Sequence, residues 1–110
     1  MNTLIFCTCL VAGVWLAGPS QAQTEATIEA GHAIAEKFCA PCHAVGMKGE
    51  STHPSATPFR DTAAKGYAGS LEEALGEGII VGHPAMPQFQ FNPHDVGALI
   101  AYLKSLSGKG

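Results

Sequence analysis

Two cysteines and a histidine lie together in the segment Cys39-Ala40-Pro41-Cys42-His43. Two thiols at this spacing can each add across a vinyl group of haem, and the adjacent histidine is then held beneath the iron as an axial ligand. The C-x-x-C-H pattern is typical of c-type haem attachment. It predicts one covalently attached haem c, anchored by Cys39 and Cys42, with His43 as an iron ligand.

Three other uses of a closely spaced cysteine pair compete with haem attachment. A thioredoxin-like redox pair would follow a strand and begin a helix, whereas this pair follows a helical pattern. A zinc site would need two further ligands, for which His53 and His83 are the candidates. A disulfide across so short a loop would add little stability. These remain alternatives, and haem attachment is the favoured interpretation.

A second iron ligand is predicted in the segment His83-Pro84-Ala85-Met86-Pro87. The other methionine after residue 22, Met47, follows His43 too closely to reach the opposite face of a haem. Met86 lies outside any helical pattern, and its neighbouring prolines stiffen the loop. The Met86 thioether is therefore the expected sixth ligand. The alternatives are His83 as the ligand, or Met86 as a plain core residue.

Two helical patterns frame these segments. Apolar residues at helical spacing predict a first helix over 27–39, with Thr27 as its N-cap. Asn92 as an N-cap and Pro93 at the first helical position predict a last helix over 93–106. No strand pattern of any length is present in the sequence. An all-α domain is therefore expected.

The chain between these helices is predicted to be mostly loop. Gly, Ser, Thr and Pro dominate 44–58, which favours irregular structure. A short helical turn is expected over 60–65. Ser70 and Glu73 form a capping box, in which each side chain accepts from the backbone amide of the other residue. They predict a short helix that begins there and ends before Gly78.

The first 22 residues differ in composition from the rest of the chain. They carry no charged side chain, and their apolar run 4–18 is short for a membrane span, which needs roughly 20 residues. Small residues precede a cleavage point after Ala22. Residues 1–22 are therefore predicted to be a secretory signal peptide, and 23–110 a single domain exported to the periplasm with no stable membrane span. An uncleaved anchor is the alternative.

The charges of the chain limit its range of partners. Six basic and nine acidic residues give a formal net charge of −3, and the basic residues are scattered. A protein that binds nucleic acid would carry a basic patch or stripe. Binding to nucleic acid is therefore not expected.

The sequence resembles class I cytochromes c, small electron carriers with one haem, over essentially all of 23–110. The resemblance rests on Gly31, the C-x-x-C-H segment, Met86-Pro87 and the run Leu99-Ile100-Ala101-Tyr102-Leu103-Lys104. It implies an all-α cytochrome c fold whose first and last helices cross at Gly31, with Leu99 and Tyr102 packed against it. Short central helices and long loops would wrap around one haem with His43 and Met86 as axial ligands.

The resemblance also implies a function. It implies a monomer that is not an enzyme and that exchanges single electrons with redox partner proteins such as a dehydrogenase, a respiratory complex or a terminal oxidase. Two other functions are alternatives. One is a haem sensor or enzyme in which Met86 leaves the iron, and the other is a cytochrome subunit that stays docked to one periplasmic dehydrogenase.

Further contacts with the haem are expected from the same resemblance. A proline carbonyl, of Pro54 or Pro58, should accept a hydrogen bond from His43. Arg60 and Tyr67 are candidates for binding the haem propionates. Independently of the resemblance, three aromatic residues are expected to shield the haem from water, with ordinary core packing as the alternative: Phe59, Phe89 and Phe91.

Overall fold

The computed structural model describes residues 12–15, 19–78 and 85–107, and this part of the chain contains four helices and no strand. The helices are α1 (Pro19–Phe38), α2 (Phe59–Ala64), α3 (Ala68–Glu77) and α4 (Pro93–Ser105). The expected all-α class is confirmed. Within the described residues, no helix is both long enough and apolar enough to cross a membrane.

Helix α1 begins at Pro19, so the predicted start of the first helix at Thr27 was wrong. Proline suits the first helical position, and the Ala, Gln and Glu residues of 20–26 favour helix, which extends α1 toward the N-terminus. The helix ends at Phe38, within one residue of the prediction. The predicted cleavage point after Ala22 lies inside α1, and the division into leader and domain stays a prediction.

Helix α1 crosses α4 at very close range where Gly31 meets Ala98. A Cβ atom at Gly31 would lie 1.9 Å from the Ala98 carbonyl oxygen and 2.8 Å from the Cβ of Tyr102. Because glycine has no Cβ, the two backbones can approach this closely. The expected crossing of the first and last helices at Gly31 is therefore present, and Leu99 lies in the buried core beside it.

Helix α4 contacts the three other helices and supplies the centre of the core. Its buried side chains are Val96, Ala98, Leu99, Ile100, Tyr102 and Leu103. The helix begins as predicted, since Pro93 occupies its first turn and the Asn92 Oδ1 accepts the amide of Asp95 at 2.9 Å. This cap satisfies one of the free amides at the helix start.

Helices α2 and α3 follow each other with a tight turn between them. The helical turn predicted over 60–65 is α2, and the chain then turns at Gly66, whose φ is +76°. Helix α3 begins at Ala68 without a side-chain cap, so the predicted capping box starting at Ser70 was wrong. The chain becomes helical again directly after the turn, which places Ser70 inside the helix. As predicted, the helix ends before Gly78.

Candidate functional site

A large apolar cavity lies between α3, α4 and the two segments that carry the predicted site residues. Its volume is about 540 Å³, within the range of small-molecule and cofactor pockets, roughly 300–1,000 Å³. Cys39, Cys42, His43 and Met86 all line it. Folding therefore brings the four predicted site residues to one cavity from two distant parts of the chain.

The cysteine segment forms a tight turn directly after α1. The amides of Cys42 and His43 both donate to the Cys39 carbonyl, at 3.1 and 2.8 Å, and both cysteines are free thiols. Burial raises the pKa of the Cys39 thiol from 9.0 to about 11. A redox-active cysteine reacts as its thiolate and typically has a lowered pKa. The environment of Cys39 therefore argues against the thioredoxin-like alternative.

The His43 ring is oriented by the carbonyl of Thr57. The His43 Nδ1 lies 2.7 Å from the Thr57 oxygen. Because a carbonyl oxygen can only accept a hydrogen bond, Nδ1 carries the proton, and Nε2 keeps its lone pair for a metal. The supporting carbonyl was expected from Pro54 or Pro58. Both expectations were wrong, since the acceptor is the residue immediately before Pro58.

The backbone that follows His43 is held by three hydrogen bonds. The Ala44 amide donates to the Ser51 hydroxyl at 3.0 Å, and the Ala44 carbonyl accepts the Phe59 amide at 2.9 Å. The Val45 carbonyl accepts the Tyr102 hydroxyl at 2.6 Å, in a buried position. The loop that carries His43 is therefore fixed by its own neighbours and by α4.

The segment that carries Met86 is held against α3. The Gln88 side-chain amide donates to the Gly78 carbonyl, and the Phe91 amide donates to the Leu75 carbonyl at 3.0 Å. Met86 itself is half-buried and lies in the cavity wall. Its position off any helix matches the sequence prediction.

The chain also matches a known protein family over most of its length. Residues 26–103 match the family described as cytochrome c oxidase, cbb3-type, subunit III. The chain belongs to this family of class I c-type cytochrome domains. Haem-based electron transfer is therefore its chemistry, and haem c is the cofactor of the family. No curated protein and no solved structure matches the chain significantly.

The cavity suits the haem of a cytochrome, which is apolar except for two carboxylates at one edge. Leucines supply much of the apolar wall: Leu71, Leu75, Leu99 and Leu103. Arg60 follows the lining residue Phe59 in sequence and is not itself one of the lining residues; its Nη1 is buried and has no hydrogen-bond partner in the described part of the chain. A buried cationic nitrogen requires an anionic partner, which a haem carboxylate would supply. Tyr67, the other propionate candidate, lines the cavity and is 55 % exposed.

Four phenylalanines surround the cavity. Phe59, Phe89 and Phe91 line it as expected, and Phe38 is a fourth that the sequence prediction missed. The Phe38 ring lies edge-on to Phe91 with 5.4 Å between centroids, and 39 % of the residue is exposed. Its position directly before Cys39 was the available sequence signal. An aromatic side chain thus reaches from the solvent to the edge of the haem cavity.

Among the described residues, no other histidine forms a metal cluster with the cysteines. No group of three or more His, Cys, Asp or Glu side chains suited to a metal ion occurs among the described residues, so the zinc alternative gains no support. His53, one of the two candidate zinc ligands, lines the cavity, and its Nδ1 accepts the Ser55 amide at 3.1 Å. His83, the alternative axial ligand, lies outside the described residues.

Proposed function

We propose that the chain is a carrier of single electrons that holds one haem, attached through Cys39 and Cys42 and ligated by His43 and Met86. The observation that carries this proposal is the tautomer of His43. Its Nδ1–H is engaged by the Thr57 carbonyl, which leaves Nε2 as a metal ligand in the cavity that both cysteines and Met86 line. When bound, the haem supplies an iron that exchanges one electron.

With His43 and Met86 as its protein ligands, a bound haem iron would have both positions outside the haem plane filled. Two protein ligands would leave no position on the iron for a substrate, which supports electron transfer over catalysis. A methionine ligand favours reduced iron and raises the potential. The phenylalanines and leucines of the cavity wall keep water from the site, which also tunes the potential.

The location and partners of the carrier belong to the same proposal. An uncharged leader over 1–22 with small residues before Ala22 supports export to the periplasm. A monomeric carrier there would take electrons from a dehydrogenase or a respiratory complex. The oxidase subunit named in the family description supports a terminal oxidase as the electron acceptor.

Visible spectra test the proposal most directly. The protein, produced with export and c-type maturation, should show a c-type spectrum when reduced, a weak far-red methionine–iron band when oxidised, and no change with carbon monoxide. Replacing both Cys39 and Cys42 with Ala should abolish covalent attachment. Met86→Ala should lower the potential and let carbon monoxide bind.

Met47→Ala is the matched control, because Met47 is 60 % exposed and does not line the cavity. It should leave the far-red band and the potential unchanged. Haem that survives acid-acetone extraction of the double cysteine variant would disprove thioether attachment. A Met86→Ala variant that keeps the wild-type spectrum and potential would exclude Met86 as the ligand. Carbon monoxide binding by the wild type would instead favour a sensor or enzyme.

A further inference from the structure

Tyr102 of α4 makes a buried contact with the loop that carries His43. Its hydroxyl donates to the Val45 carbonyl at 2.6 Å across 57 positions of sequence. Tyr102 is only 7 % exposed. A buried carbonyl without a donor is costly, so this bond is a strong constraint on the position of Val45.

The Tyr102 ring is itself held by α1. His32 stacks on it with 4.8 Å between ring centroids and an interplanar angle of 19°. Gly31 packs directly against Tyr102, because a Cβ at position 31 would lie only 2.8 Å from the Tyr102 Cβ. The crossing of α1 and α4 therefore determines where the Tyr102 hydroxyl lies.

The constraint on Val45 extends along the backbone to the His43 ring. Segments 43–45 and 57–59 are joined by the hydrogen bond from His43 Nδ1 to Thr57 and by the bond from the Phe59 amide to Ala44. Tyr102 holds the far end of the first segment. If that end were released, the backbone that carries His43 could shift relative to the Thr57 carbonyl.

We infer that Tyr102 is a positioning residue for His43, whose hydroxyl fixes Val45 and thereby keeps the His43 ring on the Thr57 carbonyl. The inference rests on the proposed role of His43 as an iron ligand. A hydrogen bond from Nδ1 makes Nε2 a stronger donor, and a stronger donor favours oxidised iron. Neither Gly31, His32 nor Tyr102 lines the cavity, yet their contact controls the strength of the axial ligand.

Tyr102→Phe in the haem-loaded protein tests the inference, because it keeps the ring and removes only the hydroxyl. The control is Asn92→Ala, which removes the cap of the same helix far from Val45 in sequence. Hydrogen exchange is measured by NMR at the His43 Nδ1–H and at the Ala44 and Phe59 amides, together with the reduction potential.

In Tyr102→Phe, exchange at these three sites should accelerate by about tenfold or more relative to the core amides of α4, as expected for the loss of one buried hydrogen bond. The potential should rise because the axial imidazole donates less. In Asn92→Ala, hydrogen exchange at the three sites and at the core amides should accelerate by the same factor. The reduction potential should stay that of the wild type. Equal behaviour of the two variants would overturn the inference.

A second variant covers the case in which Tyr102→Phe does not accumulate with haem. His32→Ala removes the stacked ring, and exchange at the same three sites should still accelerate more than in Asn92→Ala; a uniform change would overturn the inference. The proposed function is judged separately on the wild type. If the wild type has no covalent haem, the proposed function fails. If the wild-type spectrum is normal but hydrogen exchange in the variants accelerates equally at the three sites and at the core amides of α4, only the role of Tyr102 is refuted.

Discussion

Gly31→Ala should strongly destabilise the protein, because it places a methyl group where two helix backbones already touch. The new Cβ would lie 1.9 Å from the Ala98 carbonyl oxygen and 2.5 Å from its carbon, whereas an ordinary C···O contact is roughly 3.3–3.6 Å. Backbone atoms cannot rotate away as a side chain does, so α1 and α4 must separate by more than about 1 Å.

The magnitude follows from two opposing effects. Overpacking costs about 1–3 kcal/mol, and a clash with backbone lies at the upper end of that range. The higher helix propensity of Ala returns about 1 kcal/mol. The free energy of unfolding should therefore fall by about 2 kcal/mol, and the Tm by about 10 °C for a domain of this size.

Gly97→Ala on α4 is the matched control, since Gly97 is exposed and a Cβ there would have no neighbour within 4 Å. This substitution should raise the free energy of unfolding by up to about 1 kcal/mol through helix propensity alone. Thermal and guanidinium unfolding of the haem-loaded variants, followed by circular dichroism, measures both effects. A Gly31→Ala protein as stable as the Gly97→Ala protein would refute the reasoning.

Three other perturbations probe the cap, the buried cation and the buried tyrosine. Asn92→Ala should lower the free energy of unfolding by about 1 kcal/mol in a denaturant titration; an unchanged midpoint would contradict the observed cap. Arg60→Met should lower the reduction potential, because it removes a positive charge that favours reduced iron. A tenfold shift of the equilibrium between reduced and oxidised haem corresponds to roughly 60 mV. The same change at the exposed Lys65 should leave the potential unaltered, and equal shifts would show that Arg60 has no special contact.

Burial, reinforced by Glu36 and Glu29, raises the pKa of Tyr102 above its ordinary 10.0, so the difference in absorbance at 295 nm between the wild type and Tyr102→Phe should titrate above pH 10. Since the unfolded chain loses this proton first, the stability that Tyr102 contributes is complete below pH 10 and declines above it.

Local patterns with a direct physical meaning predicted most of the site. The C-x-x-C-H segment and Met86 were found because their side-chain chemistry is specific, and all four residues line one cavity. The Asn92 cap was found because it solves a local backbone problem, and the crossing at Gly31 was found from the resemblance to class I cytochromes c. These features can be recognised without knowledge of the path of the loops.

The features that were missed depend on that path. The loop 44–58 has no periodicity, so nothing in the sequence indicates that the Thr57 carbonyl, and not that of a neighbouring proline, meets His43. The bond between Tyr102 and Val45 joins residues 57 positions apart. The start of α3 was misplaced because a valid capping motif at Ser70 was overridden by the turn at Gly66, after which the helix had already begun.

The contact between Tyr102 and Val45 also sets an order of events as the chain is made and folds. A contact across 57 positions closes late, because the loop between its ends must lose entropy first. The turn over 39–43 is local, since the hydrogen bonds from the Cys42 and His43 amides to the Cys39 carbonyl span only three and four positions, so it can form before α4 docks. In the folded chain, burial raises the pKa of the Cys39 thiol to about 11, so a free thiol there reacts least readily once the fold is complete. The loop that carries His43 is therefore closed late, by a hydrogen bond from the C-terminal helix.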